Sequence, residues 1–268
     1  MDSAAPDPLM AIRRRIDAID EAMHLLLIER SGVIAELIEI KGTSKPGAAF
    51  RPEREADMMR RLVMRHEGAL PLVTVEHIWR EIITTFTAMQ APFGVAMGPS
   101  SDDLAMRDLV RFYFGFSVPV AEVPTNEAAI ARVAQSGNDV AVVAADLGER
   151  WWAGLAGARA PKVFAKLPFI EMPSRPADLS AYVIGPPLSE ANAPDICLFA
   201  LGDEAGLGAA VASLGGRSVG KAEGDALIEL PVAATLDDLA REMARPLRNV
   251  REIGGFAQPI HFLADRVA

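Results

Sequence analysis

The chain has 268 residues, 50% of them hydrophobic, and its 27 basic and 36 acidic side chains give a formal net charge of −9. Half apolar composition is enough for a packed core and excludes wholesale disorder, while the negative charge argues against nucleic acid or an anionic membrane as a partner. The single cysteine excludes an internal disulfide, and because the four histidines show no metal-ligand spacing we expect no metal site.

The start of the chain and its hydropathy bear on where the protein resides. The segment 1–9 carries two aspartates and lacks the basic region of a secretory leader. No run of 18 uncharged apolar residues occurs, so the sequence predicts no transmembrane helix. We therefore expect a cytoplasmic protein.

The first predicted element is an unusually long helix between Pro8 and Lys41. Apolar residues recur there at spacings of three and four, which is typical of one helix face. The stripe consists of Leu9, Ile12, Ile16, Ile19, Met23, Leu26, Val33, Leu37 and Ile40. A helix of roughly 30 residues would be about 45–50 Å long. Arg30 occupies a position where the spacing calls for an apolar residue.

Two further helices are predicted before Pro92. Glycines and Pro46 within 42–47 break the first helix. A second helix is predicted from Glu53 to His66, since Pro52 suits a first helical turn, and a third begins near Thr74. The apolar positions of the third helix are Ile78, Ile82, Ile83, Phe86 and Met89.

After Pro92 the pattern changes to alternating strands and helices, which predicts an α/β region. The predicted strands are 118–123, 139–144, 194–201 and 226–232, and the predicted helices are 102–112, 127–135 and 236–243. The stretch 185–194 is typical of a linker because it is rich in proline and glycine.

The basic residues of the first helix are spaced in a way that bears on function. A guanidinium on an apolar stripe needs an anionic partner, so Arg30 indicates either an internal ion pair or a bound anion. Arg30 and Lys41 nearly share a helix face and lie about 16 Å apart along the axis, which two long side chains can narrow around one small anion. Arg13 lies about 25 Å from Arg30 and could reach the same ligand only from an antiparallel partner helix.

Several separated motifs occur in the order typical of a known family. They are Leu9–Asp20, Leu27–Arg30, Ile40-Lys41, Phe50–Glu55, Ile82-Ile83 and Gln90. Together they span about residues 8–92. This segment resembles the all-helical class of chorismate mutase, and more narrowly the mutase domain that begins the bifunctional chorismate mutase–prephenate dehydratases.

The resemblance implies an all-α domain of three helices per chain that forms an intertwined homodimer. It also implies that each active site takes Arg13 from the neighbouring chain. Carried over by position, Arg13 and Arg30 would bind the two carboxylates of the substrate, and Arg54 would support that end of the site.

The same resemblance implies roles for three more residues. Lys41 and Gln90 would donate hydrogen bonds to the ether oxygen, and Glu55 would accept one from the ring hydroxyl. At Arg51 and Phe86 this sequence departs from the best-known members, which have an acidic and a small polar residue there.

The implied reaction is the rearrangement of chorismate to prephenate in phenylalanine and tyrosine biosynthesis. It is a one-substrate reaction that needs no metal and no cofactor. Negative charge grows on the ether oxygen as its bond breaks, so fixed donors aimed at that oxygen would stabilise the transition state. The arginines would hold the compact conformer that reacts.

The rest of the chain resembles the remainder of the same bifunctional enzymes, incompletely. We expect a mutase domain over 1–92, a degenerate prephenate-dehydratase-like α/β region over 93–190 and an α+β ACT-like region over 191–268. The Thr-Arg-Phe motif that serves dehydration is missing, and the segment nearest to it is Ser180-Ala181-Tyr182. We therefore expect no dehydratase activity. The Glu-Ser-Arg-Pro effector motif is also not in place, which favours a structural role for the tail over ligand binding.

Two other functions remain open. A non-catalytic regulator would bind a metabolite of the shikimate pathway without turning it over. A purely structural dimerisation module would not bind a bicyclic dicarboxylate that mimics the transition state. The donors proposed for the ether oxygen favour the enzyme over both.

Overall fold

A computed structural model describes residues 7–41, 49–145, 149–173, 175–188 and 193–262 of the chain. The chain divides into two units, Met1–Thr43 and Ser44–Ala268. The predicted loop at 42–47 lies outside the described residues, as does the predicted domain limit between residues 190 and 191. The domain limits 1–92, 93–190 and 191–268 therefore remain predictions. Among the described residues, no helix is both long enough and apolar enough to cross a bilayer.

The first unit contains the helix α1 (Pro8–Lys41), which is continuous for 34 residues. This confirms the predicted long helix, since its interior has no proline and only Gly32 interrupts the better helix formers. Within its own unit, most of the apolar stripe of α1 is exposed, and Leu37 is partly buried. A helix with such an apolar stripe depends on packing of that stripe for most of its stability.

The second unit holds the remaining helices. They are α2 (Pro52–Arg65), α3 (Leu72–Gln90), α4 (Asp103–Phe114), α5 (Asn126–Ser136), α6 (Leu207–Ser213) and α7 (Leu236–Glu242), with a 3₁₀ turn over Trp151–Leu155. Local chemistry explains several helix starts. Pro52 occupies the first turn of α2, and the side chains of Asp102, Thr125 and Thr235 accept backbone hydrogen bonds at the starts of α4, α5 and α7.

Eleven strands are present in the described part of this unit. They are β1 (Val95–Met97), β2 (Val120–Glu122), β3 (Val140–Ala144), β4 (Lys162–Leu167), β5 (Ile170–Glu171), β6 (Ala181–Gly185), β7 (Ile196–Gly202), β8 (Arg217–Ala222), β9 (Asp225–Pro231), β10 (Arg251–Phe256) and β11 (Ile260–His261). Nine of them form one sheet in the order β2-β1-β3-β6-β4-β10-β7-β9-β8, while β5 and β11 pair separately.

The large sheet has two parts that differ in connectivity. In the first part β1 pairs in parallel with β2 and β3 through the crossovers α4 and α5. In the second part β7-α6-β8-β9-α7-β10 is a βαββαβ unit with antiparallel neighbours in the order β10-β7-β9-β8. The two parts join where β10 pairs in parallel with β4.

The sequence predicted some of these elements and missed others. The structure contains helices α4, α5 and α7 and strands β2, β3, β7 and β9 at the predicted places, with ends that differ by a few residues. Strands β1, β4, β5, β6, β8, β10 and β11 and helix α6 were not predicted. Short apolar runs such as β4 and β6 lack the alternation that identifies a half-buried strand, and β8 is a largely exposed edge strand.

Helices α2 and α3 share a core with the α/β part of the second unit. The Phe50 ring before α2 lies 5.1 Å from the ring of Phe93 and 5.6 Å from that of Phe164 on β4. On α3, the His77 ring stacks on Phe112 of α4 at 4.8 Å. The helices that follow α1 are therefore built into the sheet-containing unit.

The buried face of α3 differs from the predicted stripe. Ile78 and Met89, which the pattern placed on that stripe, are 39% and 48% exposed. The buried face includes Ile83 and Phe86 of the predicted stripe, and it also carries four polar residues, namely Glu76, Arg80, Thr84 and Thr87. The apolar pattern was therefore right for Ile83 and Phe86 and wrong for Ile78 and Met89, because charge partners from distant parts of the chain allow Glu76 and Arg80 to be buried on this face.

Candidate active site

The start of α2 positions two of the predicted site residues. Ala56, Met59 and Leu62 form the buried face of α2. Arg54 precedes this face and is exposed, while Glu55 is only 28% exposed at its side chain. The two adjacent residues therefore point to different environments, and Glu55 faces the interior of the unit.

Glu55 lies beside a cation that the sequence analysis did not single out. Its Oε2 is 3.7 Å from Nη1 of Arg80 on α3. Burial raises the pKa of Glu55 above its ordinary value, while the charge of Arg80 and a backbone hydrogen bond from Arg51 act to lower it. Arg80 therefore supports the ionised form of Glu55 against the cost of burial.

Two small cavities adjoin this ion pair. One of about 50 Å³ is lined by Glu55, Arg80, Thr84 and Thr87 together with aromatic side chains. A second of about 40 Å³ shares Glu55 and Arg80 and is bounded by β4. A cavity of about 150 Å³ is needed to hold one benzene molecule, so neither accommodates a ring-containing substrate.

Gln90 lies at the carboxyl end of α3. Its side-chain amide donates a hydrogen bond to the carbonyl of Phe86, one turn earlier, at 3.0 Å. At the two positions where the sequence departs from the best-known members, Phe86 is buried and Arg51 donates from its guanidinium to the carbonyl of Phe50 at 2.9 Å. In this conformation the Gln90 amide is held by its own helix and would have to turn to reach a ligand.

The other three predicted residues are on α1, in the first unit. Arg13 is exposed and Arg30 is partly buried. Lys41 is the last residue of the helix. Because α1 is a continuous helix, its rise of 1.5 Å per residue places Arg13 about 25 Å from Arg30 along the axis. The structure describes these three residues within their own unit and Arg54, Glu55 and Gln90 within the other.

Sequence reasoning missed a group of buried charges next to Glu55. Glu76 and Arg80 are four residues apart on α3, and both are buried with Arg175 and Tyr113. The sequence did contain a signal for this group, because Glu76 and Arg80 have opposite charges and lie one helical turn apart on a helix face that also carries core residues. Among the described residues, no three His, Cys, Asp or Glu side chains are grouped as a metal site would require.

A comparison with protein families identifies the first part of the chain. Residues 12–91 match the family model described as Chorismate mutase type II. This segment is therefore a chorismate mutase domain, of a family whose members are isomerases. The result confirms the resemblance seen in the sequence.

Curated relatives match over the same part of the chain. The bifunctional chorismate mutase/prephenate dehydratase of Neisseria gonorrhoeae is 35% identical over 100 residues, which are 37% of this chain and 27% of the relative. The enzyme of the same name from Stutzerimonas stutzeri is 35% identical over 98 residues, and that of Aquifex aeolicus is 32% identical over 117 residues. The match spans less than a third of the length of these relatives.

Solved structures show only a distant likeness. Prephenate dehydratase from Arthrobacter aurescens in complex with L-Phe has a TM-score of 0.39 and 13% identity, covering 62% of this chain and 92% of that one. The quorum quenching acylase GqqA has a TM-score of 0.38 and 13% identity, covering 61% and 94%. TM-scores this low do not assign the second unit to the fold of either protein.

Proposed function

We propose that this protein is a chorismate mutase, which rearranges chorismate to prephenate in phenylalanine and tyrosine biosynthesis. The observation that carries the proposal is the match of residues 12–91 to the chorismate mutase family. Three helices in the expected order, α1 to α3, agree with it. All six residues expected to serve the site lie on these helices.

The proposed active form is a homodimer built around α1. Helix α1 has apolar residues at two sets of positions, and each set repeats every seven residues. This is the pattern of a coiled-coil seam, and Arg30 is its one charged member. The two sets are Ile12, Ile19, Leu26, Val33 and Ile40, and Leu9, Ile16, Met23, Arg30 and Leu37. In addition, four consecutive apolar residues of α1 are exposed, namely Leu25, Leu26, Leu27 and Ile28. Consecutive residues point to all sides of a helix, so this stretch would be stabilised by apolar packing around its whole circumference.

The reach of α1 supports an antiparallel arrangement of its two copies. One chain cannot bring Arg13 and Arg30 to the same small molecule across about 25 Å of rigid helix. A partner helix running the opposite way would bring its own Arg13 towards Arg30. We propose that this pair binds the two substrate carboxylates and that Arg54 supports the same end of the site.

The remaining residues are proposed to act on the breaking ether bond and on the ring. Lys41 and Gln90 would donate to the ether oxygen, where negative charge develops in the transition state. Glu55, which lies beside Arg80, would accept from the ring hydroxyl in its ionised form. This chemistry requires substrate positioning and fixed charges rather than a nucleophile or a cofactor.

We propose that the region after residue 92 has no prephenate dehydratase activity. The segment nearest to the missing Thr-Arg-Phe motif contains Tyr182, which is buried and donates a hydrogen bond to Glu229 at 2.6 Å. That tyrosine is engaged in the core of the sheet. We propose further that residues 191–268 are an ACT-like region with a structural role, which the βαββαβ topology of β7 to β10 supports.

The test follows the loss of chorismate by ultraviolet absorbance with the full chain. We expect turnover by the wild-type protein and a decrease of about 10²–10³-fold in kcat for Lys41→Ala, since one donor to a developing oxyanion contributes about 3–4 kcal/mol. Lys221→Ala is the matched control, because Lys221 pairs with Asp203 in the βαββαβ unit. Near wild-type turnover by Lys41→Ala would contradict the proposed role, and binding of a transition-state mimic without turnover by the wild type would favour the regulator.

A further inference from the structure

Arg80 lies in an unusual position for a cation. It is 8% exposed, and its Nε has no hydrogen-bond partner among the described residues. Its guanidinium lies over the ring of Tyr113 at 4.9 Å and over that of Phe169 at 5.8 Å. Its Nη1 lies 3.7 Å from the carboxylate of Glu55. A buried guanidinium held against aromatic rings has little freedom to move, so it provides a fixed charge beside Glu55.

The groups that hold Arg80 come from outside the chorismate mutase domain. Tyr113 belongs to α4, and its hydroxyl donates to Oε1 of Glu76 at 2.9 Å. The same hydroxyl accepts a hydrogen bond from the backbone N–H of Phe169 at 2.7 Å. Arg175, in the connection from β5 to β6, lies 3.2 Å from Oε2 of Glu76. The α/β part of the chain therefore anchors the face of α3 that carries Arg80.

The charged groups near Glu55 lie on its own helix, on α3 and on β4. Arg80 on α3 is the nearest cation, and the backbone of Arg51 donates to the carboxylate from its own helix. Lys166 on β4 lines the same 40 Å³ cavity, but its Nζ is bonded to Glu229 at 2.8 Å. Glu76, the nearby acid on α3, is engaged by Tyr113 and Arg175. Arg80 is thus the cation whose charge Glu55 depends on.

We propose that Arg80 is a positioning residue for Glu55, and that the α/β region holds Arg80 in place through Tyr113 and Phe169. This rests on the proposed function, because it assigns Glu55 to the mutase site. It gives the region after residue 91 a role in that reaction without a catalytic group of its own. The appended region sets the placement and the charge of a carboxylate in the mutase site.

The pH dependence of catalysis distinguishes this role from a purely structural one. A carboxylate accepts from the ring hydroxyl only while ionised. Arg80 lowers the pKa of Glu55 against the effect of burial. Removing the guanidinium in Arg80→Met raises that pKa further, so the acid limb of the kcat/KM profile moves to higher pH. Arg80→Lys keeps a charge and moves the limb less.

The experiment compares kcat/KM from pH 5 to 9 for the wild type, Arg80→Met and Arg80→Lys, each also in a Glu55→Gln background. We expect Arg80→Met to lose about tenfold or more at neutral pH, the value of one charge-assisted hydrogen bond. In the Glu55→Gln background the same change should cost little and shift no pH limb. Arg107→Met is the control, since Arg107 is exposed on α4 and pairs with Glu122.

Different outcomes separate the two proposals. If the wild type does not turn over chorismate, the proposed function fails and this inference fails with it. If the wild type is active but the Arg80→Met profile overlays it, or its loss is equal in both backgrounds, only the inference is overturned. Tyr113→Phe is a second variant should Arg80→Met fold poorly. It keeps the ring beneath Arg80 and removes the hydroxyl that ties α3 to Phe169, and we expect a smaller shift of the acid limb in the same direction.

Discussion

Glu76 and Arg175 form an ion pair whose side chains are both 0% exposed. The contact is 3.2 Å long between Nη2 and Oε2, and together with the hydrogen bond from the Tyr113 hydroxyl it offsets only part of the desolvation of Glu76. Burial raises the pKa of Glu76 more than Arg175 and Arg80 lower it. The contribution of Glu76 to stability is therefore fully present below the unfolded-state pKa, near 4.5, and is lost as the pH rises through the higher folded-state pKa.

Removing one partner of this buried pair is expected to be costly. We predict that Arg175→Met lowers the free energy of unfolding by about 3–5 kcal/mol at neutral pH, because it removes the ion-pair partner of a buried carboxylate. The double variant Glu76→Leu with Arg175→Met should recover most of that loss. Urea unfolding measures both. Removal of the exposed Arg107 and Glu122 pair should cost less than about 1 kcal/mol, and a similar cost for the two pairs would contradict the prediction.

Helix α1 presents a long apolar surface. Leu26 is 63% exposed, and Ile19 and Val33, seven residues to either side of it, are 57% and 56% exposed. Most helical stability in proteins comes from packing rather than from intrinsic propensity. A long helix with this surface is therefore expected to be ordered by association, and a second copy of the same helix offers the complementary seam.

We predict that Leu26→Glu converts the proposed dimer to a monomer and abolishes the proposed mutase turnover together with it. A charge at the centre of the proposed seam would be desolvated in both copies, and dissociation would remove the Arg13 that we propose the partner chain contributes to the site. Sedimentation equilibrium gives the mass and chorismate absorbance gives the activity. Glu21→Gln, a change at an exposed polar position of α1, should leave both unchanged. An unaltered dimer mass for Leu26→Glu would contradict the proposed seam.

The nine-stranded sheet joins its two parts at one close contact. Gly254 on β10 pairs with Val163 on β4, and its φ of 142° lies in a region that only glycine readily adopts. A Cβ at this position would lie 2.2 Å from the carbonyl oxygen of Val163. The parallel pairing of β10 with β4, which makes one sheet of the two parts, thus depends on the absence of a side chain.

We predict that Gly254→Ala lowers the free energy of unfolding by about 3 kcal/mol or more, through backbone strain and loss of strand pairing. Gly208→Ala in α6 is the matched control, because a Cβ added there would have no neighbouring atom within 4 Å. That change should be neutral or stabilise by up to about 1 kcal/mol through helix propensity. Equal urea midpoints for the two variants would show that the junction tolerates a side chain.

Part of the candidate site could be predicted, because helix periodicity and the spacing of motifs are visible in residues that are near one another in the sequence. Apolar spacing predicted α1, α2 and α3, and the order of the motifs placed Arg13, Arg30, Lys41, Arg54, Glu55 and Gln90 on them. The surroundings of Glu55 could not be predicted in this way. Arg80 and Tyr113 lie 25 and 58 residues further along the chain, and no local pattern indicates that they meet it.

By itself, the sequence determined the long α1, the two helices that follow it and the α/β character of the rest. It also determined the family that residues 12–91 match. These features could be predicted because helix periodicity and motif order depend on residues that are near one another in the sequence. Only the tertiary structure decided that α2 and α3 share a core with the sheet, that nine strands form one sheet, and that Glu76 and Arg80 are buried. Those features depend on partners distant in sequence, because burial of a charge is tolerated only where the fold supplies its counter-charge and hydrogen bonds.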